Sequence, residues 1–360
     1  MEIRQLLKAM VQFDASDLHL QVGSPPQLRI HGALTPVDLP SLSRENVEQL
    51  VQQIATPDVT ASIDTQRSAD FSYELEEFGR FRANAFFERG RLSAVLRRIP
   101  MEVPRLEDLN LPPAVTDLEH AERGLILVTG TTGSGKSTTL AALVDCFNRK
   151  RRLRIVTVED PIEFVHTSDR CLIAQRELGS DTHSFANALR VALRQDPDVI
   201  LVGELRDAET MRIAMQAADT GHLVLSTLHT TNATQTVQRM VSMFPPDEHE
   251  LALMQLANNL EAVISQRLAR RRDKGRIAVV EILRDSPVIR KLIREGRVTS
   301  LPQAIANQEQ GMQLFDQHLA ELYNHQLISG TEALRLATNP EAVGLAMRGI
   351  STGDTQSGLV

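Results

Sequence analysis

Two kinds of hydrophobic spacing divide the chain. Ile3, Leu6, Leu7, Met10 and Val11 fall on one helical face and predict a helix over Glu2–Phe13. Asp17–Val22 and Gln27–Ile30 then alternate with period two, as do Phe71, Tyr73 and Leu75, and Phe81, Ala83, Ala85 and Phe87. Leu92–Ile99 completes the set of predicted strands. Between them Val47, Leu50, Val51 and Ile54 mark a second helix, with Ser43 placed to cap it. Strands of this kind with two helices predict a small α+β domain over residues 1–100 with a mostly antiparallel sheet. Pro100, Pro104, Pro112 and Pro113 fix φ and remove donors, so 101–117 is read as a linker.

Beyond the prolines the pattern changes. Short, wholly apolar runs (Leu125–Val128, Val199–Val202, Leu223–Leu225) and Arg154–Val158 alternate with helical stretches that begin near Lys136, Ser184 and Asp207. Buried strands alternating with helices predict an α/β fold with a doubly wound, largely parallel sheet over 118–275. A long helix is expected from Asp247 to Arg267, with Asp247 and Glu250 in capping-box spacing. Residues 276–349 read as mostly helical, and 350–360, small and polar, as a disordered tail.

Composition narrows the function classes. The 360 residues carry 39 Lys and Arg against 46 Asp and Glu, a net charge of −7, with only 4% aromatics and no Trp. That balance argues against a protein that works by neutralising nucleic-acid phosphates or stacking bases. Two cysteines, Cys146 and Cys171, exclude a disulfide framework and a four-cysteine zinc site within one chain. No stretch approaches the ~18 apolar residues of a membrane-spanning helix, and the early charges Glu2, Arg4 and Lys8 are unlike a signal peptide.

The chemistry concentrates in one loop. Gly130-Thr131-Thr132-Gly133-Ser134-Gly135-Lys136-Ser137 fits the P-loop pattern, with an apolar strand before it and a helix after it. Glycines there let backbone N–H groups turn onto phosphate oxygens. Lys136 adds a mobile positive charge, and Ser137 offers a hydroxyl to Mg²⁺. Glu204 ends the apolar strand Val199–Val202, where a carboxylate can orient an attacking water; an ion pair with Arg206 is its structural alternative. Glu159, Asp160 and Glu163 cluster past another strand tip, which calls for a cation or an arginine nearby, or for a solvated loop. His222 and His229 flank the strand Leu223–Leu225 and its continuation.

Taken in order, five segments resemble the motifs of the secretion ATPase superfamily of type II secretion and type IV pili. Ala15-Ser16-Asp17-Leu18-His19-Leu20 is similar to its N-terminal signature and Gly130–Ser137 to its P-loop. Glu159-Asp160-Pro161-Ile162-Glu163-Phe164 resembles its Asp box, and Asp196–Asp207 its acidic strand motif. Thr220-Gly221-His222 through Thr227-Leu228-His229-Thr230 resembles its His box. The nearest likeness, from Ala15 to Gly330, is to the twitching-motility retraction ATPases of the PilT/PilU type.

The resemblance implies a PAS-like N-terminal domain and a RecA-like P-loop NTPase domain with a helical C-terminal part. It implies a homo-hexameric ATPase, using ATP and Mg²⁺, that drives pilus disassembly in twitching motility. Catalytic roles pass to Glu204, Glu163 and His229 and to the arginines Arg80, Arg82 and Arg97, with Arg98 competing with Arg97. Nucleotide contacts pass to Gly130–Thr138 (Gly130, Thr131, Thr132, Gly133, Ser134, Gly135, Lys136, Ser137 and Thr138) and to His222. The Mg²⁺ site passes to Ser137, Glu159 and Glu163. Partners would be an inner-membrane pilus platform protein and a paralogous retraction ATPase, with no nucleic acid. The expected location is cytoplasmic, peripheral to the inner membrane, reaching the membrane only through a partner.

Val288-Ile289-Arg290-Lys291-Leu292-Ile293-Arg294-Glu295 departs at Val288 and Lys291 from the helix motif of retraction-type members. An accessory PilU-like motor and another motor of the superfamily therefore stay open. So do two different classes, a nucleic-acid translocase and a nucleotide-gated scaffold that does not hydrolyse. The basic cluster Arg267, Arg270, Arg271, Arg272, Lys274 and Arg276 reads as the cationic end of the long helix, or as a surface for lipid head groups or acidic loops.

Overall fold

A computed structural model describes residues 1–100 and 102–350. The tail expected over 350–360 lies, apart from Ile350, outside the described residues. The chain forms two compact units. The first gathers Met1–Glu102 with two short segments from later in the chain, Pro161–Val165 and Glu177–Asp181. The second holds Val103–Asp160, His166–Arg176 and the residues from Thr182 onward.

The first unit is a six-stranded sheet with helices on one face. Its strands are β1 (Asp17–Leu20), β2 (Gln27–Ile30), β3 (Ala33–Pro36), β4 (Ser68–Leu75), β5 (Gly79–Glu88) and β6 (Arg91–Arg98), in the order β3-β2-β1-β6-β5-β4. The strand pairings are antiparallel. Period two sends Leu18, Leu28, Phe81, Ala83, Leu96 and Ala94 to the covered face, where they meet Leu7, Met10, Val47 and Leu50 from the helices Ile3–Gln12 and Arg44–Gln52. Each fully buried Leu or Phe of this set stabilises the unit by about 1.5–3 kcal/mol. Ser43 caps the second helix as its sequence position suggests, its hydroxyl accepting from the Asn46 N–H at 3.2 Å. The edge strand β3 is exposed at every position, so it carries no alternation to read.

The second unit contains a seven-stranded sheet: β7 (Gly124–Thr129), β8 (Arg154–Glu159), β9 (Leu172–Glu177), β10 (Val199–Val202), β11 (Leu223–Leu228), β12 (Leu260–Arg270) and β13 (Arg276–Arg284). The order is β13-β12-β7-β11-β10-β8-β9. From β12 through β8 the neighbours are parallel, and β13 is antiparallel to β12. β7, β10 and β11 are buried along their whole length, as strands built on apolar runs must be when helices cover both faces. The fold is thus α/β with mixed sheets.

The long helix expected over Asp247–Arg267 does not form. The helix His249–Asn259 stops, and Leu260–Arg270 runs as β12 between β7 and β13. Leu260, Val263, Ile264 and Arg267 have helical spacing, but the segment Ala262–Gln266 is buried on both faces, which erases period two. The Asp247–Glu250 box is absent as well: the N-cap is Glu248, with no side-chain capping bond. The basic cluster consequently lies on a β-hairpin rather than at a helix end. Arg267 stacks on the Phe315 ring 3.9 Å away and Arg271 pairs with Asp273 at 2.8 Å. After β13 the described chain is helical, from Pro287–Arg294 to Pro340–Ala346, and Phe315, Leu319, Ile328 and Val343 pack beneath Ala269, Ile277 and Val279. Among the described residues no helix is long and apolar enough to cross a membrane.

Candidate active site

In an open parallel sheet the loops beyond the strands' carboxyl ends form the natural ligand crevice. Here the C-terminal ends of β7, β11, β10 and β8 lie side by side and lead respectively into the P-loop, His229, Gly203-Glu204 and the segment after Glu159. The sequence therefore delivers its charged motifs to one edge of the second unit.

The P-loop joins β7 to the helix Lys136–Lys150. Gly130, Gly133 and Gly135 have φ of 143°, 78° and 94°, and Gly135 is the helix N-cap. Gly130 is the position with no room to spare, because a Cβ there would stand 2.5 Å from both the Gln266 carbonyl oxygen and Ser134 Oγ. The Lys136 ammonium donates to the loop's own carbonyls, Gly130 O at 2.8 Å and Thr131 O at 3.2 Å. Ser134 Oγ is buried with no hydrogen-bond partner. The loop thus presents a helix N-terminus, a lysine whose ammonium donates to the loop's carbonyls, and an orphan hydroxyl. All three match a phosphate group. Thr131, Thr132 and Gly133 are exposed, while Ser137 and Thr138 are half-buried at the start of the helix.

Beneath the loop lies a layer that no motif or spacing along the chain singles out. Thr129 Oγ1 donates to Ser265 Oγ at 2.9 Å, and Gln266 Nε2 donates to Thr139 Oγ1 at 2.8 Å. Both partners come from β12, which sequence periodicity assigns to a helix, so the network is visible only once that segment is a strand.

Glu204 follows β10 after one residue, Gly203. Its carboxylate accepts from Arg206 Nε at 2.8 Å, and His229 Nε2 stands 3.6 Å from its other oxygen. Arg206 also reaches Asp160 at 3.3 Å, and these two carboxylates raise its pKa, the hydrogen bond to Glu204 leading. The ion pair named as the alternative for Glu204 is therefore real. The carboxylate nonetheless stays at the strand tip with a histidine on its other side. Two hydroxyls tie the tips of β10 and β11 together: Ser226 Oγ donates to Val202 O and Thr227 Oγ1 to Gly203 O, each at 2.6 Å.

His222 is not at this edge. It precedes β11 while His229 follows it, so roughly 20 Å of strand at 3.3 Å per residue separates them. Its Nδ1 lies 3.0 Å from Ala217 O, and it lines a cavity of about 330 Å³ with Arg151 and Asp198. His222 thus stands at the end of β11 opposite to the one that adjoins the P-loop strand's tip.

The Asp box is divided between the units. Glu159 belongs to the second, where its Oε1 accepts from Thr157 Oγ1 at 2.7 Å and from Gln175 Nε2 at 3.2 Å. Glu163 is exposed and belongs to the first. Among the described residues no three His, Cys, Asp or Glu side chains converge on a cation site. Ser137, at the start of the helix after the P-loop, would offer its hydroxyl to a magnesium ion bound with a nucleotide's phosphates.

The arginines lie in the first unit. Register places Arg29, Asp17, Arg97 and Arg82 in one row across β2, β1, β6 and β5, and Arg80 follows two residues before Arg82 on the same face. Arg98 is opposite Phe81, in the covered row, which separates it from Arg97. Asp17 Oδ1 accepts from Arg97 Nε at 2.7 Å. Burial raises the Asp17 pKa, but hydrogen bonds from Ser16 and Arg97 outweigh it and hold the group low. Arg97 is 70% exposed and Arg82 49%, whereas Arg80 is 15% exposed and pairs with Glu74 and Glu177.

The family described as "Type II/IV secretion system protein" matches residues 2–274. The type IV pilus retractation ATPase PilT of Pseudomonas aeruginosa is 44% identical over 342 residues, 95% of this chain and 99% of the relative. The type IV pilus ATPase PilU of the same organism is 40% identical over 350 residues, 97% of this chain and 92% of the relative. The crystal structure of the pilus retraction motor PilT with bound ADP superposes with a TM-score of 0.89 at 41% identity, covering 95% of this chain and 98% of that one. The chain belongs to the type II/IV secretion system protein family, as one of its ATPases.

Proposed function

We propose that the chain is a motor that spends ATP hydrolysis on retracting a type IV pilus, working as a homo-hexamer on an inner-membrane platform protein from the cytoplasmic side. The first unit corresponds to a PAS-like domain and the second to a RecA-like core. The observation that carries the reading is the shared edge: Lys136 at the tip of β7, and Glu204 with His229 at the tips of β10 and β11.

The residues divide the work by chemistry. Lys136 exchanges two loop carbonyls for phosphate oxygens, and the loop N–H groups and helix N-terminus hold the anion. Magnesium, when bound, neutralises phosphate charge beside Ser137. Glu204 accepts a hydrogen bond from the attacking water and orients it, and the Arg206 and His229 contacts fix the carboxylate. Arg82 and Arg97, exposed and on one face, supply positive charge to the transferring phosphoryl group of a neighbouring subunit, an effect worth about 10³–10⁵ in rate where an arginine is so used. A paralogous retraction ATPase is a further partner of the same machinery.

Steady-state ATPase and native mass of wild type and Glu204→Gln, each with and without ATP, test this together. Turnover by a wild-type hexamer that is lost in an ATP-binding Glu204→Gln hexamer supports the motor. A monomer with full turnover overturns the ring.

A further inference from the structure

Glu177 ends β9, yet it belongs with the first unit, where its side chain is 4% exposed. Taking a carboxylate out of water is costly unless its lone pairs are met by a cation and by hydrogen-bond donors. Three donors meet this one. Ser72 Oγ gives a bond of 2.5 Å to Oε1, and Arg80 Nη2 and the Ile162 backbone N–H each give 3.0 Å to Oε2. Its backbone is pinned too, with the Glu177 N–H donating to Asp181 Oδ2 at 2.8 Å.

The donors come from three separate stretches of chain. Ser72 and Arg80 lie on β4 and β5 of the arginine-bearing sheet. Ile162 belongs to Pro161–Val165, the segment that continues from the tip of β8 and carries Glu163. A single buried carboxylate therefore fastens the Glu163 segment to the sheet that presents Arg82 and Arg97. It also explains why Arg80 is so little exposed: its guanidinium is taken up by Glu177 on one side and Glu74, at 2.9 Å, on the other.

We infer that Glu177 is a positioning residue of the ATPase reaction, and that the Arg80–Glu177 pair holds Glu163 in fixed register with Arg82 and Arg97. Arg80 is then a strut within its own unit rather than a group that reaches the phosphates. This rests on the ATPase reading above. Displacing Glu163 and the arginines relative to each other leaves ground-state nucleotide binding to the P-loop intact and lowers the rate of the chemical step, so the effect falls on kcat rather than KM.

The test uses the full chain. Turnover gives kcat and KM for ATP, a fluorescent ATP analogue reports binding, and calorimetry reports folding. Glu177→Gln keeps the size and removes the charge; it is expected to lower kcat about tenfold with KM and analogue affinity within about twofold. Ser72→Ala, which removes one donor from a half-exposed strand position, is expected to lower kcat about threefold. Arg80→Gln added to Glu177→Gln is expected to cost little more than the worse single change, because the two act as one unit. The inference is overturned by kcat within twofold of wild type in Glu177→Gln, by losses that multiply in the double variant, or by a fall expressed as weakened analogue binding. Should Glu177→Gln not fold, an unchanged kcat in Ser72→Ala overturns it. Normal turnover in Lys136→Ala would instead defeat the ATPase reading itself, so the two failures are distinct.

Discussion

Glu204 and His229 face each other at 3.6 Å from the ends of two adjacent parallel strands, with Arg206 closing the other side of the carboxylate at 2.8 Å. The hydroxyls of Ser226 and Thr227 bind β11 to the carbonyls at the end of β10, so the pair sits on a rigid double tip. Replacing Glu204 by Gln keeps its size and removes the charge proposed above to orient water. Turnover should fall at least about 100-fold while ATP binding persists. His229→Ala should cost less, about 10-fold, because Arg206 still anchors the carboxylate. Steady-state kinetics beside nucleotide-binding titrations check both; equal losses in the two variants would make His229 more than a support.

Lys136 holds two of its own loop's carbonyls, so its bond to phosphate replaces bonds already made, and its removal also leaves those carbonyls short of a donor. Lys136→Ala should abolish measurable turnover and weaken ATP binding by tenfold or more, about 1.4 kcal/mol or above. Near-normal activity would remove the P-loop from the mechanism.

Gly130 makes a sharper structural demand. Its φ of 143° and the 2.5 Å approach of Gln266 O and Ser134 Oγ leave no place for a methyl group. Gly130→Ala should lower the calorimetric midpoint of the second unit and impair ATP binding together, whereas Gly133→Ala, where a Cβ meets nothing within 4 Å, should chiefly pay for its φ of 78°. Similar losses from the two would contradict the steric account.

Arginines that act across a subunit boundary can be complemented. Mixing Arg82→Ala with Lys136→Ala subunits should restore part of the activity that each variant alone lacks, because in the proposed ring some interfaces then combine an intact P-loop with an intact arginine. No recovery in mixtures shown to exchange subunits would place Arg82 and Lys136 in the same subunit's site.

His318 offers a pH test far from the chemistry. Its ring is buried beside β13, with Nδ1 accepting the Val280 N–H at 3.0 Å, and burial pulls its pKa down to about 4. The unfolded chain, with a histidine pKa of about 6.5, binds the proton first. Stability from this group is therefore complete above about pH 6.5 and is lost as pH falls toward 4, by about 2 kcal/mol at pH 5. The neighbouring Glu281 carboxyl, raised by its burial, acts in the opposite sense, so the useful quantity is a difference. Between pH 7 and pH 5 the calorimetric transition of the second unit should drop further in wild type than in His318→Asn. Equal drops would show that His318 is not held neutral.

The sequence by itself determined the P-loop, the alternation of buried strands and helices that surrounds it, the cap at Ser43 and the helix starts near Ser184 and Asp207. These depend on residue type over short spans: glycines for unusual φ, a hydroxyl or carboxylate one turn before free N–H groups, and apolar runs with no polar face. It also placed Glu204 at a strand end, since four apolar residues and Gly203 lead up to it. What it left undecided was whatever depends on which segments become neighbours. Leu260–Arg270 has an apolar pattern that a helix and a doubly buried strand both satisfy, and only a seat between β7 and β13 selects the strand. That choice in turn brings Ser265 and Gln266 under the P-loop. Arg97 and Arg98 differ by one residue in sequence, and the pairing of β5 with β6 puts them on opposite faces. His222 and His229 both look close to the nucleotide in sequence, but a whole strand separates them, and the parallel direction of β11 decides which one meets Glu204. Tertiary structure alone joined Glu177 to Arg80, 97 residues away, because a carboxylate taken out of water must find its cation wherever the fold supplies one.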